Sequence, residues 1–287
     1  MFLKEIETQS PEGIMKLAFA KMNASGHGIP EIMHLFRYKK RSTDHLIRFT
    51  EEVMRGPSPL SPGFRELIGA FVSSRNECRF CRCAHTPVAA KLLGQELVDE
   101  VLFDLESSRL DEAHKELLRY VGKLAENPAG VDAADINRIK QAGWSEEAIY
   151  DALTVAAVFK FYNTWNNGSG VQTMSSADYV HSGNRLLSVG YCMDFGLKAT
   201  LKVLWVSRNE VTFGDFKELI KILLKKVAGP MSGGSKQLAA AASAQTRCPA
   251  AAAASPNKPH SFAAAETGLY KEQKAGVSLV QSGDPAA

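Results

Sequence analysis

Apolar residues recur every three or four positions along most of this chain, in segments bounded by glycine and proline. This spacing places one apolar stripe on each segment and indicates amphipathic α-helices. The break at residues 56–63 contains Ser61-Pro62, which is a typical helix start. Strand signals are almost absent, and residues 202–206 form one short apolar run that is ambiguous. The pattern therefore predicts an all-α fold.

Glycine, proline and capping residues set the bounds of the predicted helices. The six longer predicted helices cover residues 62–76, 78–93, 111–124, 131–141, 145–163 and 212–227. The sequence Asn166-Asn167-Gly168 is expected to end the helix at 145–163.

The composition changes near Gly229. From there on the chain consists largely of Ala, Ser, Gly, Pro and Gln, with only two aromatic residues, Phe262 and Tyr270. Such a segment cannot bury enough apolar surface to offset its ordering entropy, so a disordered tail is predicted for residues 229–287. The rest of the chain is divided into an N-terminal lead-in (1–24), a helical domain (25–185) and a helical extension (186–228).

The charge and hydropathy of the chain exclude several classes of partner. The net charge of +3 is too small to indicate a nucleic-acid partner. No apolar stretch approaches the roughly 20 residues that cross a membrane. Charged residues follow directly after Met1-Phe2-Leu3, where a secretory signal would have its apolar core. We therefore expect a cytoplasmic protein that binds neither nucleic acid nor membrane.

Three of the five cysteines, Cys78, Cys81 and Cys83, fall within six residues. Such a cluster points to metal or redox chemistry rather than to a secreted disulfide framework. On a helix with about 100° per residue, His85 shares the face of Cys78 and Cys81. Cys83 points away from that face, so four ligands of a zinc site cannot converge. We therefore expect a dithiol, with no metal and no other cofactor.

A dithiol at the N-terminus of a helix has the properties of a redox centre. The free N–H groups and the positive end of the helix dipole favour a thiolate there. His85, one turn beyond Cys81, is placed to take a thiol proton. A thiolate can attack a peroxide oxygen, become a sulfenic acid and condense with the neighbouring cysteine. Two buried structural cysteines beside a surface histidine are the simpler alternative.

Glu66 lies twelve residues before Cys78, on the preceding predicted helix. If the two helices pack as a hairpin, its carboxylate reaches toward His85 or Cys81. A carboxylate behind an imidazole orients the ring and raises its basicity, which is a common arrangement around an activated nucleophile. The apolar neighbours of Glu66 leave its orientation open.

The spacing Glu66, eleven residues, Cys78-x-x-Cys81, three residues, His85 resembles the signature of the AhpD-like superfamily, which includes carboxymuconolactone decarboxylases and alkylhydroperoxidase D. The resemblance spans residues 25–185 and is greatest to the peroxidase-related branch. It implies an all-helical fold, thiol-dependent hydroperoxide reduction and assembly into trimers or hexamers. It also implies a role for each residue of the signature: Cys81 as peroxidatic thiol, Cys78 as resolving thiol, His85 as base and Glu66 as the far end of a proton relay.

One position departs from this pattern. Alkylhydroperoxidase D has a histidine immediately before the second cysteine, and this sequence has Phe80. A relay member is therefore missing, which predicts weaker or differently routed turnover. The partners implied by the resemblance are a hydroperoxide and a dithiol or protein reductant.

Two other functions stay open from the sequence. One is a redox sensor or interaction module in which the dithiol is a non-catalytic switch. The other is a carboxymuconolactone-decarboxylase-like enzyme that uses Glu66 and His85 without thiols. The decarboxylase branch typically lacks the cysteine pair, which argues against the second.

Overall fold

The computed structural model describes residues 1–24 and 26–191 and, beyond them, Gly214, Lys217, Ile220 and Lys221. Helices are the only regular elements in this part of the chain, so the predicted all-α fold is confirmed. A short 3₁₀ turn, Pro128–Gly130, separates α8 from α9. The α-helices are α1 (Lys4–Thr8), α2 (Gly13–Ala24), α3 (Ile32–Tyr38), α4 (Lys40–Arg55), α5 (Pro62–Arg75), α6 (Arg79–Leu93), α7 (Gln95–Phe103), α8 (Glu112–Glu126), α9 (Ala133–Gln141), α10 (Glu146–Ser169) and α11 (Ser176–Val189).

Helix α5 lies at the centre of the fold. Its residues 63–73 are all buried, and it packs against α6, α8 and α10. Leu67 and Ile68 are completely inaccessible, and burying side chains of this size contributes about 2 kcal/mol each. Gly69 permits a close approach of α10, because a Cβ at this position would lie 2.4 Å from the ring of Phe159. The central helix is therefore fixed by neighbours on several sides.

The predicted helix starts are formed by the capping residues that the sequence indicates. The hydroxyl of Ser61 accepts a hydrogen bond from the N–H of Phe64, and Pro62 occupies the first helical position. Asp111 and Ser145 cap α8 and α10 in the same way. Each cap of this kind stabilises its helix by about 1 kcal/mol. The local sequence is therefore sufficient to place these helix starts.

The predicted end of α10 is wrong. The helix continues through Asn166-Asn167-Gly168 to Ser169, and it ends at Gly170, whose φ of 69° is left-handed. Asn166 is buried inside the helix, and a glycine within a helix costs only about 1 kcal/mol. Tertiary packing therefore outweighs the local turn signal, and the conformation of Gly170 ends the helix.

Several predicted segments lie outside the described residues, among them the ambiguous strand at 202–206 and the tail at 229–287. Four positions within the predicted helix at 212–227 are described, and all four are helical. The domain boundaries stay predictions. None of the helices in the described ranges combines the length and the apolar character that a membrane crossing requires.

Candidate active site

The turn between α5 and α6 places the two cysteines. The N–H of Glu77 donates to the carbonyl of Ser74, and the N–H of Cys78 donates to the carbonyl of Ser73. Glu77 has a left-handed φ of 53°, as this Schellman arrangement requires. Cys78 then caps α6 with non-helical angles (φ −89°, ψ 88°). Its thiol therefore lies at the N-terminus of α6, with Cys81 in the first turn.

Both thiols are buried in an apolar cluster. Cys78 is fully inaccessible and Cys81 is 2% exposed, and neither forms a disulfide. Aromatic side chains from three helices surround them: Phe80 of α6, Tyr162 of α10 and Tyr179 of α11. The ring of Phe80 lies 6.1 Å from that of Tyr179. The position at which alkylhydroperoxidase D has a histidine therefore contributes packing in this protein.

The two thiols lie close enough to titrate as a pair. The interaction with Cys81 lowers the pKa of Cys78. The same interaction, together with burial, raises the pKa of Cys81 well above its ordinary value. The first proton therefore leaves the pair more readily than the second. The pair therefore favours a state with one thiolate and one thiol.

Asn166 of α10 also contacts the dithiol, and the sequence-based site did not include it. Its Nδ2 lies 3.0 Å from the Sγ of Cys81. One turn earlier, Oδ1 of Asn163 lies 3.0 Å from the hydroxyl of Ser73, which joins α10 to the end of α5. The repeat of asparagine at a spacing of three within an apolar helix is the signal that could have identified these residues.

The structure brings Glu66 and His85 together across the α5–α6 hairpin. Nδ1 of His85 lies 2.7 Å from Oε2 of Glu66, and Glu66 is completely buried. Two further residues donate to Oε1: Arg55 of α4 at 2.5 Å and the hydroxyl of Tyr191 at 2.8 Å. The carboxylate thus has a partner on each oxygen. Arg55 and Tyr191 lie outside the signature, and neither is predicted from the sequence.

These contacts keep Glu66 ionised. Burial opposes ionisation, but the hydrogen bond and charge of His85 and the charge of Arg55 outweigh it, so the pKa of Glu66 is lowered. A carboxylate only accepts hydrogen bonds, so Nδ1 of His85 carries the proton that it shares with Glu66. Nε2 is therefore the ring nitrogen available to a reacting group.

The dithiol and the Glu66–His85 pair are two separate hydrogen-bonded groups. Within the described ranges, the hydrogen-bond partners of His85 are Glu66 and Tyr191, and neither cysteine is among them. The imidazole instead packs edge-on against Phe159, with 4.6 Å between the ring centroids. A proton passing from Cys81 to His85 therefore needs a bridging group.

Cys83, the third cysteine of the sequence cluster, is half-buried and packs against the edge of the apolar cluster that contains the dithiol. Among the residues described, no three His, Cys, Asp or Glu side chains are grouped so that they can hold a metal ion.

The described helices adopt the AhpD-like fold, as two solved structures show. An uncharacterized peroxidase-related protein from Silicibacter sp. matches with a TM-score of 0.53 and 21% identity, over 60% of this chain and 91% of its own. An AhpD core structure, an uncharacterized peroxidase-related protein from Ralstonia eutropha, matches with a TM-score of 0.53 and 17% identity, over 62% of this chain and 95% of its own. No family model and no curated protein matches the sequence.

Proposed function

We propose that this protein is a thiol-dependent hydroperoxide reductase. The observation that carries the proposal is the dithiol, in which two buried thiols lie at a helix N-terminus. Such a position stabilises a thiolate through free N–H groups and the helix dipole. An ionised carboxylate–imidazole pair on the same helical hairpin supplies acid–base groups. The names of the two solved structures, both peroxidase-related, agree with this chemistry.

In the proposed reaction the Cys81 thiolate attacks the terminal oxygen of a hydroperoxide. The S–O bond forms as the O–O bond breaks, which leaves a sulfenic acid on Cys81 and an alkoxide that takes one proton and departs as the alcohol. The Cys78 sulfur then attacks the sulfenic sulfur, and water leaves as the disulfide forms. A dithiol or a protein reductant restores both thiols by thiol–disulfide exchange.

Glu66 and His85 form the acid–base part of the proposal. Through Nε2 and a bridging group, His85 takes up the proton released by the dithiol and returns it to the alkoxide. Glu66 orients the imidazole through its hydrogen bond to Nδ1. Arg55 and Tyr191 hold the carboxylate in place from the opposite side.

The order of the two thiols is a separate part of the proposal. The resemblance assigns the attack to Cys81, and the contact from Asn166 supports this order because a thiolate needs a donor. The lowered pKa of Cys78 favours the reverse order. Dimedone labelling decides between them: we expect a labelled Cys81 in Cys78→Ser and little label on Cys78 in Cys81→Ser.

Consumption of tert-butyl hydroperoxide, with dithiothreitol as reductant, tests the function. Wild type is expected to turn over, and Cys78→Ser and Cys81→Ser to lose nearly all activity. His85→Gln is expected to lose about a hundredfold because an acid–base group is removed. Cys83→Ser is the matched control on the same helix and should retain activity. If wild type is as inert as the variants while the pair still oxidises reversibly, the dithiol is a redox switch and the proposal is wrong.

The separation of the Glu66–His85 pair from the thiols supports a second candidate function. A carboxylate–imidazole pair that is hydrogen-bonded to neither cysteine within the described residues can act alone, as in a carboxymuconolactone-decarboxylase-like enzyme. Activity on a lactone acid that is lost in His85→Gln but kept in Cys81→Ser would favour this function.

We also propose that the protein forms a homo-oligomer, either a trimer or a hexamer. Three apolar side chains, Tyr150, Leu153 and Phe161, are exposed on one side of α10. An exposed apolar row of this kind marks interaction surfaces. Size-exclusion chromatography with light scattering measures the mass directly, and a monomer at micromolar concentration would contradict the proposal.

A further inference from the structure

Asn166 contacts the dithiol from outside α6. Its side chain belongs to a residue that is 1% exposed, and Nδ2 lies 3.0 Å from the Sγ of Cys81. An amide nitrogen only donates hydrogen bonds, so this contact is a hydrogen bond to sulfur. In a site closed to water, such a bond is strongest when the sulfur is negatively charged.

The other half of the same amide lacks a partner. Oδ1 of Asn166 is buried and has no hydrogen-bond partner in the described part of the chain, although buried acceptors are nearly always satisfied. Because Oδ1 and Nδ2 belong to one amide, the free acceptor lies beside the reacting sulfur. An O–H group formed on that sulfur would satisfy it, and a sulfenic acid carries such a group.

The other titratable groups packed around the dithiol do not donate a hydrogen bond to Oδ1 of Asn166. The hydroxyl of Tyr162 is bonded to Thr50, and burial raises the pKa of Tyr162 to about 12. Burial also raises the pKa of Tyr179. The hydroxyl of Tyr179 has no hydrogen-bond partner among the described residues, so neither phenol donates to Oδ1 of Asn166. His85 is hydrogen-bonded to Glu66 and Tyr191 rather than to sulfur. The third cysteine of the cluster, Cys83, lies on its flank.

We propose that Asn166 is a positioning residue of the dithiol, whose Nδ2 stabilises the thiolate of Cys81 and whose Oδ1 accepts the O–H of the sulfenic acid that replaces it. The first role requires only the dithiol. The second role rests on the proposed hydroperoxide chemistry, in which the hydroperoxide supplies the oxygen and no atom is transferred to Asn166.

The first role is tested with Asn166→Leu, which keeps the size of the side chain and removes both polar atoms. Asn167→Leu is the matched control, because Asn167 is exposed and its amide contacts the carbonyl of Asn76 at 3.3 Å. The thiol pKa of Cys81 is measured from the pH dependence of iodoacetamide alkylation, with Cys81 and Cys78 read by mass spectrometry in separate tryptic peptides, because Arg79 lies between them. We expect Asn166→Leu to raise it by about one unit or more, and Asn167→Leu to leave it unchanged.

A folded Asn166→Leu protein with the wild-type thiol pKa overturns the first role. Asn166→Ser covers the case in which the leucine variant does not fold, since it is smaller and places no new apolar group at the site. Its hydroxyl is too short to replace the amide fully, so a smaller shift in the same direction is expected. No shift in this variant overturns the role equally.

The second role is tested in a Cys78→Ser background, where the sulfenic acid of Cys81 cannot be resolved. After one addition of tert-butyl hydroperoxide, we expect Asn166→Ser to shorten the dimedone-reactive lifetime several-fold and to increase the sulfinic product. Equal lifetimes overturn the second role. If the Cys78→Ser protein itself forms no sulfenic acid, the second role and the proposed function are both wrong. The thiol pKa of Cys81 still decides whether Asn166 has the first role.

Discussion

At the scale of single residues, one buried carboxylate organises half of the candidate site. Glu66 has no exposed surface, and an unpaired carboxylate in such a position would cost several kcal/mol. Arg55, Tyr191 and His85 together occupy both of its oxygens. The orientation of the imidazole therefore depends on Arg55 and Tyr191 as well as on Glu66.

Tyr191→Phe tests that dependence. The change removes a hydrogen bond to a charged group, which is expected to lower the free energy of unfolding by about 2 kcal/mol. The measurement is urea unfolding at neutral pH. Tyr150→Phe is the matched control, because Tyr150 is 66% exposed and its loss should be within about 0.5 kcal/mol of zero. Equal stabilities of the two variants would show that the Tyr191 hydroxyl contributes nothing.

The residues that the sequence predicts for the site are those that lie close together along the chain. Glu66, Cys78, Cys81 and His85 fall on one hairpin, and fixed spacing on two consecutive helices is sufficient to bring them near each other. Tyr191 follows Glu66 by 125 residues, and Asn166 follows Cys81 by 85. Such contacts depend on how distant helices cross, which local spacing does not determine.

At the scale of elements, the α5–α6 turn ends one helix and begins the next at two adjacent residues. Glu77 takes the left-handed conformation that ends α5, and Cys78 directly follows as the cap of α6. Glycine is the preferred residue for the first position because it has no Cβ. Position 77 is a glutamate rather than a glycine. The two helices could therefore be predicted from local signals, but the sharp turn between them could not.

Replacing Glu77 with glycine is expected to stabilise the protein. The left-handed conformation is less favourable by about 1 kcal/mol for a residue with a Cβ. Glu77→Gly should therefore raise the free energy of unfolding by up to that amount. Glu77→Ala is the control, because it removes the charge but keeps the Cβ. Urea unfolding of the three proteins separates the effects: a gain shared by both variants would assign it to the lost charge and contradict the conformational argument.

At the scale of the whole molecule, resistance to acid depends on carboxylates that the fold keeps ionised. The pKa of Asp135 is lowered by Lys123, and that of Glu100 by Arg109. Exposed pairs such as Glu100–Arg109 are screened by water and contribute little. Asp135 and Glu66 are both buried, and Glu66 is completely inaccessible, so protonation of Glu66 is expected to have the largest consequence. A lowered pKa in the fold means that the unfolded chain binds protons more readily, and acid then favours unfolding.

Glu66→Gln is therefore expected to be less stable than wild type at pH 7 and less sensitive to acid. Losing one partner of a buried ion pair costs about 3 to 5 kcal/mol, because Arg55 loses its counter-charge. In wild type this contribution is fully present above the ordinary carboxyl pKa of 4.5. It is lost as the pH falls through the lowered pKa of the folded state, whereas glutamine has no proton to bind.

The two free energies of unfolding should accordingly converge as the pH falls from about 5 to about 3, measured by urea unfolding at each pH. Glu100→Gln serves as the control, because its carboxylate is paired with Arg109 at the surface. Its curve should run almost parallel to that of wild type. If the difference between wild type and Glu66→Gln stays constant over this range, the buried carboxylate is not the group that acid protonates, and Glu66 does not have the charge that the proposed orientation of His85 requires.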